Sequence, residues 1–138
     1  MANKTVNIPK ALTRYQFTDD DGDVFAWFHM NPLDIRIAKR AAASAKRFEE
    51  IIKAAGEAST VDDLIRLDEE ITEVINGILG YDARDSLFGL MSATTVLPDG
   101  RLFVAVVLET ISENLQSDIK SRITSLEKAV HRHTNKYK

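Results

Sequence analysis

The chain contains no cysteine. That removes thiol nucleophiles, thiolate metal sites and a disulfide framework together, and it suits a reducing compartment. Proline and glycine are scarce, at three and six in 138 residues, which excludes low-complexity disorder and collagen-like repeats. Long apolar runs are also missing. The longest, over residues 102–108, is far short of the ~20 residues that span a bilayer. The first ten residues, MANKTVNIPK, lack the charged-then-apolar layout of a signal peptide, so a cytoplasmic protein is expected. GxSxG, Walker and GxGxxG patterns are absent as well, and no enzyme, cofactor or metal is expected.

What is present fits one ordinary soluble domain over 1–138, with 44% hydrophobic and 28% charged residues. The net charge of -3 hides a strong asymmetry. Residues 48–85 hold eleven acids against Lys53, Arg66 and Arg84, a local balance of -8. Residues 119–138 hold six Lys and Arg against Glu127 alone, and residues 36–47 add five bases with no acid. Opposite ends of this kind favour antiparallel packing, head-to-tail self-association or a charged partner.

Residues 1–30 read as a β hairpin. Tyr15 and Phe17 alternate with polar residues, residues 24–28 are β-forming, and Asp21-Gly22 between them is a strong turn signal. Residues 5–8 are a candidate third strand. An isolated hairpin is marginal in water, so the face with Trp27 and Phe28 is expected on the helices. The DDDGD turn resembles a calcium loop, but placing Gly22 at the sixth position puts Phe17 first and Phe28 twelfth, where carboxylates are required.

Residues 31–138 read as helical, giving an α+β, mainly α fold with about four helices and a long last one. The first is expected to start at Asn31 with Pro32 as its first residue and to stop at Gly56, its middle stripe of Ala41 to Ala45 marking a tight crossing. The second starts at Ser59 or Thr60 with Asp63 completing a capping box, and Gly80 ends it. Residues 91–100, with Pro-Asp-Gly, read as a loop. The last helix runs from about Leu102 into the 130s, and beyond Glu113 its stripe narrows to one residue per turn, the pattern of a helix-pairing seam. That seam is Ile111, Leu115, Ile119, Ile123 and Leu126. It predicts either a basic end over 119–138 that extends to another chain or one that folds back over the acidic helix.

His131 and His133 are two apart on a helix and point in different directions, so they do not form a metal grip. The basic stretches suit nucleic acid, but Tyr137 is the only aromatic in the C-terminal one and the pI near 5.6 argues against a large phosphate footprint. Nucleic acid is therefore not the expected partner, and a small helical nucleic-acid-associated or regulatory protein is kept as the alternative reading.

The segment GYDARDSLFG, residues 80–89, reads as a packing module: Asp82 caps a two-turn helix, Leu87 and Phe88 join Ile78 and Leu79 in an apolar corner, and Gly80 and Gly89 permit the reversal. The order Ile78-Leu79-Gly80, short polar helix, Leu87-Phe88-Gly89, Ser/Thr-rich loop and aliphatic helix resembles the tail assembly chaperones of long-tailed bacteriophages and prophages. Leu79 stands where that family more often has Phe, and Asp82 where a glycine is common. The resemblance is clearest over residues 70–125. It implies a non-enzymatic protein, acting in the host cytoplasm and absent from the finished virion, that binds the helical tape measure protein while the tail tube forms. Tail tube protein and further copies of the chain are the other partners it implies.

Overall fold

The computed structural model describes residues 3–8 and 12–136, with the side chains of Arg122 and residues 132–136 left out of the description. His133 as a ligand and Tyr137 therefore lie outside the described residues. The order is β1 (Thr13–Thr18), β2 (Val24–Met30), α1 (Ile35–Gly56), α2 (Val61–Leu79), α3 (Arg84–Phe88) and α4 (Phe103–Lys136). The fold is α+β and mainly α, as expected.

β1 and β2 form an antiparallel pair whose turn carries Gly22 at φ 83°. Asp19 Oδ1 accepts from the amides of Asp21 and Asp23, so the acidic turn is held by its own first residue. The register slips between Phe17 and Thr18, leaving Phe25 as a bulge. Alternation then sends Ala26, Phe28 and Met30 into the core and Trp27 to the opposite face. Trp27 thus does not share the buried face expected for it; the Arg14 guanidinium covers its ring at 4.1 Å. Residues 5–8 form no strand and are exposed.

α1 begins three residues later than its sequence suggests. Asn31 Oδ1 accepts from the Leu33 amide and its carbonyl from the Asp34 amide, so Asn31-Pro32-Leu33 is a turn and Asp34 is the N-cap. Gly56 is simply the last helical residue, with Glu57 as the C-cap. α2 starts as expected: Thr60 Oγ1 accepts from the Asp63 amide, and Asp63 reaches back to the Ser59 amide. Arg47 meets Glu73 at 3.6 Å and Arg40 meets the Ile78 carbonyl at 3.0 Å, partners that run in opposite directions along the two helices. α1 and α2 are therefore an antiparallel hairpin.

The core joins β2, the inner face of α2, α3 and the first half of α4. Phe103 is its hub. The ring stands 5.6 Å from Phe17, 5.6 Å from Phe25 and 5.8 Å from Phe88, two of these contacts edge-on, which ties sheet, α3 and α4 together.

Candidate functional site: an apolar groove and a bare helix end

The module at 80–89 is built by one residue the sequence hardly advertises. Asn76, a single polar side chain near the end of α2, accepts from the Ala83 amide at 2.8 Å and donates to Asp82 Oδ1, while its carbonyl receives the Gly80 amide. Asp82 in turn accepts from the Arg84 amide at 3.1 Å, but it is not the cap expected: the N-cap of the five-residue α3 is Ala83, and Asp82 closes the turn ahead of it. Gly80 closes α2 in the left-handed conformation at φ 83°, as expected. The neighbouring Ile78 carbonyl, one of the orphans of a helix end, takes the Arg40 guanidinium. Leu79 and Leu87 are buried, and Phe88 is half-buried against Phe103. Gly89 has ordinary helical φ; a Cβ there would run into the Asp85 carbonyl oxygen, so the position is small for want of space. Leu79, Ala83, Leu87 and Phe88 thus pack into the core, while Tyr81, Asp82, Arg84 and Asp85 are exposed.

The loop before α4 supplies what a capping side chain would. The Phe103 and Val104 amides donate to the carbonyls of Thr95 and Ala93, and the Ala93 amide donates to Asp68 Oδ1 at 2.9 Å. α2 thereby fixes where α4 begins. Asp68 looks in sequence like one more surface acid of α2.

The sequence-predicted seam divides into two environments. Ile111 and Leu115 are buried, and Ile119 is half-buried at the edge of the core. Ile123 and Leu126 are exposed at 50% and 55%. From residue 120 to 131 every described side chain is exposed, so α4 leaves the body as one continuous helix and does not fold back over α2. Ile111 and Leu115 are thus largely covered within this chain, whereas Ile123 and Leu126 are not.

Between α1 and α4 lies an open groove of about 530 Å³. One wall is Ala38, Ala41, Ala42, Ala45 and Phe48; the other is Leu108, Ile111, Leu115 and Ile119, and Ile78 lies between. α1 packs closely on α2, with Ala41 against the core, and the alanines leave space only on the side facing α4. Ala45 is exposed, and the small side chains hold the space open. The groove contains no nucleophile paired with a base, and its one charged lining residue is Glu49.

A second, more polar cleft of about 470 Å³ lies between the end of β2, the start of α1 and the end of α2. Its polar groups have structural partners: Tyr81 Oη accepts from the His29 amide at 2.7 Å, and Arg36 pairs with Asp34 at 2.9 Å. Burial pushes the Tyr81 phenol upward, against the opposing effect of the His29 amide. The Arg36 guanidinium and amide hold Asp34 below the usual carboxylate range. In the β turn the carboxylates of Asp19, Asp21 and Asp23 come within 4.8 Å of one another, all exposed.

Comparison with protein-family models, curated proteins and solved structures found no match. Among the described residues, no helix is long and apolar enough to cross a membrane.

Proposed function

We propose that the protein is a non-enzymatic tail assembly chaperone, and that its α1–α4 groove receives an apolar stretch of tape measure helix before the tail tube closes around it. The observation that carries this reading is the groove itself. Its walls are aliphatic and alanine-rich, it is open along its length, and Leu108 to Ile119 of α4 gives it a run of about 16 Å, three turns of a guest helix. Small residues let a second backbone approach closely, and helix-in-groove binding needs an apolar slot more than it needs specific polar chemistry. The sequence resemblance supplies the kind of guest. In this reading the protein works in the host cytoplasm, contacts tail tube protein only through the assembly, and is missing from purified virions.

The test is co-expression with a tape measure protein of a long-tailed phage, followed by size-exclusion chromatography with light scattering. A soluble complex should form with the wild-type chain and be lost with Ala45→Glu, a substitution at an exposed wall position that leaves the core alone. A complex that persists with Ala45→Glu rejects the groove. A helical partner that stays insoluble with the wild-type chain rejects the chaperone reading.

A further inference from the structure

We infer that in the free protein the groove is covered by the projecting end of α4 from a second copy, in a twofold antiparallel dimer centred on Ile119. The inference is drawn from this chain alone and does not depend on which helix the groove receives later.

The first observation is continuity. Leu115 and Ile119 on the groove wall and Ile123 and Leu126 on the bare end belong to one stripe on one unbroken helix, four or three residues apart. The second is length. Leu108 to Ile119 and Ile119 to Val130 each span eleven residues, about 16 Å, so the bare stripe is as long as the slot. Laid antiparallel about Ile119, Ile123 of one copy meets Leu115 of the other and Leu126 meets Ser112, and both copies are satisfied at once. That is the self-complementarity an isologous interface requires.

The third observation is charge. The end that inserts belongs to the stretch with six Lys and Arg against Glu127, whereas the α4 stretch it would lie along, residues 108–119, carries Glu109, Glu113 and Asp118 and no base; the α1 wall, inside the basic 36–47 stretch, contributes Glu49 at its far end. A basic helix end laid antiparallel along an acidic helix segment is steered into place and discouraged from pairing with its own kind in parallel. The fourth is the state of the end itself. From residue 120 to 129 every described side chain is exposed, a helical stretch that is marginal in water by itself, and a partner along its stripe removes that difficulty. The alanine wall of α1 leaves the room the inserted helix needs. The same chain cannot supply it, because α4 continues out of its own groove.

The experiment is light scattering on the isolated full-length chain across a wide concentration range, with two kinds of variant. The wild-type protein should approach twice the 15.4 kDa of one chain. Leu126→Asp, exposed in the single chain, should raise the dimer dissociation constant about 30-fold or more while its circular dichroism stays helical. Because the chain has no cysteine, Ser112→Cys and Leu126→Cys can then be mixed under mild oxidation. A disulfide joining the two variants, with little from either alone, is the expected result. A monomer at every concentration overturns the inference, and so does a dimer in which Leu126→Cys links readily to itself, the mark of parallel pairing. A monomer that still forms the mixed complex described above would remove this dimer and leave the chaperone reading standing.

Discussion

The two halves of α4 share a helix, a period and a residue palette, yet one is core and the other is bare. Phe103, Val107, Ile111 and Leu115 are within 5% of complete burial, and Ile123 and Leu126 are at least half exposed. A stripe of aliphatics every three or four residues therefore states that a helix has an apolar face and says nothing about what covers it. In the first half β2, α3 and α2 do so. The second half has outrun them, and the same pattern is left exposed.

The sharpest way to break the comparison is to apply one substitution to both halves. Ile111→Ala should cost about 2–5 kcal/mol in a denaturant titration, as for other buried large-to-small changes, whereas Ile123→Ala in dilute monomer should stay within about 0.5 kcal/mol. Equal effects would mean that the end of α4 is packed in the single chain. Next in size is Asn76→Ala. It strands the buried Ala83 amide and should cost about 1–3 kcal/mol, with faster amide exchange confined to 80–89. Gly80→Ala forces a Cβ into a left-handed conformation 3.0 Å from the Arg40 guanidinium and should cost about 1 kcal/mol in thermal unfolding. Each of these changes acts on the body and should leave the oligomeric state of the surviving folded protein as it was.

The smallest effect is one of pH. The Ser59 amide and the Thr60 hydroxyl-bearing cap hold Asp63 below its ordinary range, and the Arg101 amide and side chain do the same for Asp99. A carboxylate whose folded pKa is depressed contributes stability above its unfolded value near 3.9, and that contribution is lost as pH falls through the folded value. Thermal midpoints should accordingly be flat from neutral pH down to about 4 on account of these groups and drop below it. Asp63→Asn should flatten the acid limb. Asp99 is exposed and Asp63 only partly covered, so the change is small.

Local chemistry was the legible part of this sequence. Thr60 with Asp63, Gly80, and Asp21-Gly22 act where their residue types say they should, because a cap or a positive φ is settled by neighbours in the chain. The start of α1 misleads because Asn31 can cap a turn as readily as a helix, and the Asn31 to Leu33 hydrogen bond wins. Trp27 misleads because adjacent strand residues face opposite ways and only one of the pair with Phe28 can be buried. Asn76 and Asp68 escape notice for a different reason: each partner lies in a later segment, and nothing about a polar residue on a helix announces a distant amide. The alanines of α1 read correctly as small but not as an open wall, since a close approach and a vacancy require the same residue.

The tie from Asp68 through Ala93 to the first turn of α4 also has a mechanical meaning. It clamps one end of a rod about 50 Å long, from Phe103 to Lys136, and leaves the other end unsupported. A rotation of about 10° at the clamp would swing the tip by about 9 Å, more than the diameter of a helix backbone. The loop at 91–102 thus sits at the pivot of a long lever arm, where a small change of angle is multiplied at Ile123 and Leu126, about six helical turns along.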